Sequence, residues 1–215
     1  MKSKAVKQCL VALVSLLVQH YNQSVNLVPS FIHLLHGNAE AVSPIADIVT
    51  TLGKDERSAQ IVGDMIRELS SDAAANARGT GSKNVATFIT SIAESMPRVM
   101  LPHVSLLIGH LANEVHIGCF ALWLCTPIAN NNTAQSHQIR NGIVQVIGFL
   151  IAKAFTEEEE EEAPSHHHTK QRNALLDVLM ERMHDVASYT RSKAIQTWTF
   201  LIEYEASSGA CGGMK

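Results

Sequence analysis

The sequence predicts an all-α fold built from repeated helix pairs, and three observations carry that prediction. Apolar residues recur at three- and four-residue steps through most of the chain, the period of an amphipathic helix, and no alternating strand pattern competes with it. The composition is 46% hydrophobic but only 5% aromatic, a balance that suits helix-on-helix packing. One helix–corner–helix unit also occurs twice. In its complete copy, residues 171–204, the first helix carries the stripe Leu175, Leu176, Leu179, Met180 and Met183. The corner falls at His184-Asp185-Val186, and the second helix carries Ala194, Ile195, Trp198, Leu201 and Ile202.

The earlier copy is interrupted. Residues 106–114 (LLIGHLANE) match the end of a first helix with its corner, and residues 136–154 (SHQIRNGIVQVIGFLIAKA) match a second helix. With Arg140 laid on Arg191, Ile143 falls on Ala194, Val144 on Ile195, Ile147 on Trp198, Phe149 on Phe200 and Leu150 on Leu201. Omitting 115–135 restores the spacing of the whole unit. A lone helix pair cannot bury two apolar stripes, so the unit needs neighbours on either side. The expected architecture is an α-solenoid of HEAT-type repeats, an armadillo-like superhelix. At about 40–47 residues per repeat, 215 residues accommodate roughly four to five.

The elements follow in order. Residues 4–20 read as a helix starting almost at the first residue. Residues 25–35 form a second, stopped by Gly37-Asn38, with Pro29 placed in the first turn of a shorter helix from near Leu27. Pro44 opens a helix to Leu52 that Gly53 stops. The next spans 55–69 with the stripe Ile61, Val62, Met65, Ile66 and Leu69, and the Ser-, Ala- and Gly-rich stretch 70–82 reads as a loop. A helix over 83–96 points Val85, Phe88, Ile89 and Ile92 inward. Pro97 and Pro102 start another, carrying Val104, Leu107, Ile108 and Leu111, and 138–155 follows. Residues 156–170 (TEEEEEEAPSHHHTK) read as a charged flexible linker and 206–215 as a flexible tail. The domain reading is therefore an array over 1–155 with 115–135 inserted, the linker 156–170, and a repeat over 171–205.

Function classes narrow by chemistry. A net charge of −3 gives no global case for nucleic-acid binding, though a local basic patch stays open. Cys9, Cys119, Cys125 and Cys211 form no CxxC pair and no disulfide framework, as for thiols in a reducing compartment. The opening MKSKAVKQCLVALVSLLV has the outline of a signal peptide, but Gln8, Ser15 and Gln19 interrupt it and no small-residue cleavage site follows. An amphipathic repeat helix accounts for it, and no membrane partner is expected. Arg78-Gly79-Thr80-Gly81-Ser82-Lys83 departs from a phosphate loop, because Ser82 separates Gly81 from Lys83 and no strand precedes it. His166, His167 and His168 sit side by side on the linker, where they cannot converge as a preformed metal site. Asn22 and Asn131 match a glycan acceptor pattern that is inert inside a cell. No nucleophile–base–acid set can be assembled, so no enzyme, cofactor, metal or small-molecule substrate is expected.

Two sets of residues stand out for docking. Arg140 and Arg191 recur at one repeat position, just after the corner. Either they form an exposed ladder with carboxylates such as Asp185, worth about 0–1 kcal/mol per pair, or they face a partner. Arg140, Lys170, Arg172, Arg191 and Lys193 are the candidate partner- or DNA-facing residues, and Asp185 and Trp198 are the residues expected to build the corner.

The segment HDVASYTRSKAIQTWTFLIE resembles a repeat of the first (D-type) HEAT subunit of condensin, in which an Asp-Val corner precedes an Arg-Ser/Lys helix with Trp near its end. HLANE rejoined to SHQIRNGIVQVIG is similar to that family one repeat earlier. VQHYNQSVNLVPSFIHLLHGNAEAVSPIADIV, AQIVGDMIREL and GSKNVATFITSIAESMPRVMLPHVSLLIGHL resemble the helices before it. The resemblance implies a non-catalytic scaffold that binds the kleisin subunit, works with the SMC ATPase subunits and chromatin (DNA or histones) in mitotic chromosome condensation, and resides in the nucleus and on chromosomes with a cytoplasmic pool. It also implies an internal piece of a longer array. Two further readings stay open: a generic HEAT adaptor for transport or phosphatase assembly, and a direct nucleic-acid binder.

The departure from that family is 115–135 (VHIGCFALWLCTPIANNNTAQ), which would expose Phe120 and Trp123 as a loop. A Val codon begins GT and one Gln codon ends AG, so the block reads as a retained intron; the alternative is a genuine insert packed on the array.

Overall fold

The computed structural model describes residues 2–21, 24–54, 59–76, 80–112, 133–155, 166–185 and 187–212, and no strand occurs among them. The helices are α1 (Lys2–Tyr21), α2 (Ser24–Gly37), α3 (Val42–Gly53), α4 (Gln60–Asn76) and α5 (Thr80–Ser95). A short α6 (Pro97–Met100), a 3-10 turn (Leu101–His103) and α7 (Val104–Ala112) come next. They are followed by α8 (Thr133–Lys153), α9 (His166–Arg182) and α10 (Ser188–Gly212). The fold is all-α, a helical-repeat array, as the periodicity predicts. Residues 115–132 of the insertion, 156–165 of the linker, 213–215 of the tail, the helix start at 55–58 and the acceptor asparagines Asn22 and Asn131 lie outside the described residues.

Several boundaries differ from the sequence reading. Pro29 sits inside α2, not in the first turn of a shorter helix. Its ring removes one backbone bond at about 3 kcal/mol, yet Val28, Phe31, Ile32 and Leu35 continue the buried stripe across it at about 1.5–3 kcal/mol each. The expected loop 70–82 is helical to Asn76 and again from Thr80, because Ala73, Ala74 and Ala75 are the strongest of helix formers. Of the linker, His166 to Lys170 belong to α9, where the His168 ring packs edge-on to Phe155 at 6.3 Å between centroids. Of the tail, α10 continues through Gly212, with the Ser207 hydroxyl donating to the Tyr204 carbonyl at 2.8 Å. Thr133, Ala134 and Gln135, counted with the insertion, are likewise the first residues of α8.

The helices stack in two rows. In one, α1 meets α3, α3 meets α5, α5 meets α8 and α8 meets α10; in the other, α2 meets α4 and α4 meets α7. Paired contacts run in step between α5 and α8 and between α8 and α10, so these three helices are parallel. Gly142 of α8 lies on Ala86 of α5, and further along Lys153 pairs with Glu94 at 3.9 Å. His137 near the start of α8 stacks on Tyr189 near the start of α10 at 5.3 Å, and Phe149 meets Phe200 edge-to-face at 5.5 Å. Phe149 and Phe200 are the equivalent residues of the two copies, so successive repeats contact through like positions.

Small residues permit this spacing. A Cβ on Gly142 would stand 2.8 Å from Ala86 Cβ and 3.1 Å from its Cα, and one on Gly148 would run into the Thr197 methyl. Helix α8 is therefore clasped between α5 and α10. Its Ile143, Val144, Val146, Ile147 and Leu150 are fully buried in one core cluster with Phe88, Ile89 and Ile92 of α5.

The second-helix stripe expected at 171–204 is only partly inward. Ala194 and Leu201 are buried with Thr190 and Thr197, and Trp198 is half-buried, but Ile195 is 53% and Ile202 64% exposed. On α9, Leu175 and Leu179 are buried, whereas Met180 faces outward. Helix α10 has α8 on one side, and nothing among the described elements covers the other.

Candidate interaction surface

The corner between α9 and α10 is a knot of charge that the sequence places and the fold then encloses. Asp185 lies three residues past the end of α9, and one carboxylate oxygen accepts from the Ala187 backbone N–H at 2.9 Å, satisfying the donor just before α10. Its other oxygen faces Arg182 Nη1 at 3.5 Å, an ion pair between side chains only 7% and 2% exposed. The same Arg182 nitrogen donates to the Leu111 carbonyl of α7 at 3.2 Å, and Nη2 to Glu181 at 3.2 Å. Arg191 Nη1 donates to the Asp185 backbone carbonyl at 2.8 Å. One guanidinium thus ties the corner to the preceding repeat, and a second closes the corner on itself.

The expected exposed Arg–Asp ladder is corrected on two counts. The Asp185 carboxylate pairs with Arg182, whereas Arg191 reaches the Asp185 backbone carbonyl, and the pair is buried. Arg182 escaped the sequence reading because it sits in the polar run ERMHD and falls on His110, not on an arginine, in the earlier copy; the signal available was its spacing three residues before Asp185. Trp198 is not part of the corner. It stands roughly three turns into α10, half-buried against the core.

The candidate docking cations do not converge. Arg140 is 3% exposed, about two turns into α8, so burial withdraws it from direct partner contact. Arg172 pairs with Glu205 of α10 at 2.6 Å. Arg191 is half-buried and engaged at the corner, while Lys193 is half-buried and Lys170 exposed. The stacked His137–Tyr189 pair, unmarked by any sequence pattern, adds an exposed aromatic beside the corner.

The glycine-rich stretch before α5 has a packing role. A Cβ on Gly81 would stand 2.6 Å from His36 Nδ1, and Asn84 Nδ2 donates to the Leu35 carbonyl at 2.8 Å. Asn84 thereby caps the end of α2, which explains its burial. Among the described residues no three His, Cys, Asp or Glu side chains group as metal ligands, and no helix is long and apolar enough to cross a membrane. His103, in the turn before α7, has its pKa lowered by burial and then by the Arg67 charge, with Asp64 opposing.

Comparison with known proteins agrees with the resemblance read from the residues. The chain is 29% identical over 97% of its length to "Condensin-1 complex subunit CAP-D2" of Arabidopsis thaliana, and 25% identical over 95% to "Condensin complex subunit 1" of Xenopus laevis. It is 24% identical over 91% to the protein of that name from Saccharomyces cerevisiae. The chain spans 13% of the length of the first two of these relatives. No protein-family model matches it.

Proposed function

We propose that this chain is a stretch of a non-catalytic, D-type HEAT-repeat subunit of condensin that supplies docking surface for the kleisin subunit. With the SMC ATPase subunits and chromatin, it supports mitotic chromosome condensation in the nucleus, with a cytoplasmic pool. The observation that carries this reading is similarity to condensin subunit 1 sequences over nearly the whole chain, from a plant, an amphibian and a yeast. The architecture is compatible with it. A row of packed helix pairs offers extended surface and spends its buried polar groups on holding corners, as Arg182 and Asp185 do.

Affinity-tagged and expressed in dividing cells, the chain is expected to recover a kleisin and two coiled-coil ATPases. Recovery of nuclear-transport or phosphatase subunits instead would replace condensin with the adaptor reading. A direct nucleic-acid role has less support, since Arg172 and Arg191 are engaged within the chain and Arg140 is buried. It would be reinstated by DNA affinity that falls steeply with salt.

The block 115–135 is proposed as an insertion into the array through a retained intron. Sequencing of mature transcripts is expected to find the block spliced out, and abundant mRNA that keeps it would make it a genuine insert.

A further inference from the structure

We infer that the His103 ring is a proton-released pin between successive repeats: neutral, it sits in a slot over Gly63 of α4 and holds the joint before α7; protonated, it leaves the slot and the joint loosens. The inference rests on packing and stands whether or not the proposed condensin role does. The slot exists because residue 63 has no side chain. A Cβ there would stand 2.7 Å from the ring Cε1 and 2.8 Å from Nε2, so the imidazole lies where any other residue would put its first carbon. Gly63 belongs to the helix pair α4–α5, and His103 ends the 3-10 turn that leads into the next pair, α7–α8. The contact therefore crosses from one repeat to the next, at the place where α4 meets α6, the turn and α7.

The turn has little else to hold it. None of Leu101, Pro102 and His103 is buried, whereas Met100 and Val104 on either side are. The core is thus secured at both flanks, and an opening can be confined to the turn and the stretch of α4 beneath it. Charge decides what a proton does there. An imidazolium gives up hydration in the slot, and Arg67, one turn along α4, repels it. Asp64 pulls the other way, but it is already paired with Arg67 at 2.9 Å. Of the other elements at the joint, α6 carries Arg98, which is exposed, as its one charged residue. Helix α7 carries none, and His110 is its one titratable side chain. The neutral ring is therefore the form that fits, and a half-buried ring has water beside it to move into.

The test follows the whole chain by NMR and amide hydrogen exchange. As pH falls from about 7.5 to about 5.5, across the ordinary histidine value, exchange at 63–67 and 101–104 is expected to speed up by about twofold or more, after correction for its intrinsic pH dependence. Amides of α9 around Leu175 and Leu179 are expected to hold steady. His103→Gln is expected to abolish the response. Arg67→Ala removes a largely exposed cation without touching the slot. It is expected to raise the titration midpoint of the His103 ring and to move the loosening to higher pH. Gly63→Ala fills the slot and is expected to leave the joint loose at both ends of the range. A response shared by α9, a response that survives His103→Gln, or a ring midpoint indifferent to Arg67→Ala overturns the inference.

Discussion

Arg182 makes contacts in three directions, to Asp185, to Glu181 and to the Leu111 carbonyl, and so links two repeats through one side chain. The Arg182→Ala truncation leaves the Asp185 carboxylate buried without its cation, which costs about 3–5 kcal/mol. Arg172→Ala breaks an exposed pair and costs about 0–1 kcal/mol. Urea unfolding of the two variants tests the ranking, and equal midpoints would mean that the corner pair is not buried in solution. His103 supplies a pH dependence of defined sign. Burial and the Arg67 charge lower its folded pKa, so the folded state binds fewer protons than the unfolded one, and stability falls as pH drops below about 6.5. His103→Gln is expected to flatten that slope in melts between mildly acidic and neutral pH; an unchanged slope would assign it to other groups. At this scale the sequence is half legible. Repetition picked out Arg191, and the break between the two stripes picked out Asp185, whereas the role of Arg182 and the burial of Arg140 depend on which segments meet in space.

The helices themselves were legible wherever apolar periodicity was strong. The stripes Ile61–Val62–Met65–Ile66–Leu69 and Val85–Phe88–Ile89–Ile92 are buried as expected. The misread boundaries lie where composition competes with packing: a proline under a continuous stripe in α2, and alanines hidden among serines in α4. Ile195 and Ile202 teach a different lesson. A row helix needs apolar residues toward both neighbours, so its sequence reports two faces even where the described elements cover only one. The close crossings in this row predict opposite outcomes for two glycines. Gly142→Ala sets a methyl against the Ala86 backbone and is expected to destabilise by about 1–3 kcal/mol. Gly109→Ala meets no atom within 4 Å and is expected to stabilise α7 by about 0.5–1 kcal/mol. Thermal melts of the pair check the crossing, and loss at Gly109 with tolerance at Gly142 would contradict it.

Across the whole molecule, two copies of one unit revealed the stacking, because equal spacing in sequence becomes equal placement along a row. The docking residues were less legible, since charge on a helix says nothing of whether a partner or a neighbouring repeat takes it up. Arg172 and Arg191 meet Glu205 and the Asp185 carbonyl within the chain. The central claim is that helices of successive repeats lie side by side along the row, α5 against α8 and α8 against α10. Nuclear Overhauser contacts between the Phe149 and Phe200 rings, together with contacts from the Gly142 α-protons to the Ala86 methyl, measure it most directly. The stacked array predicts both sets; their absence from an otherwise well-dispersed helical spectrum would contradict it.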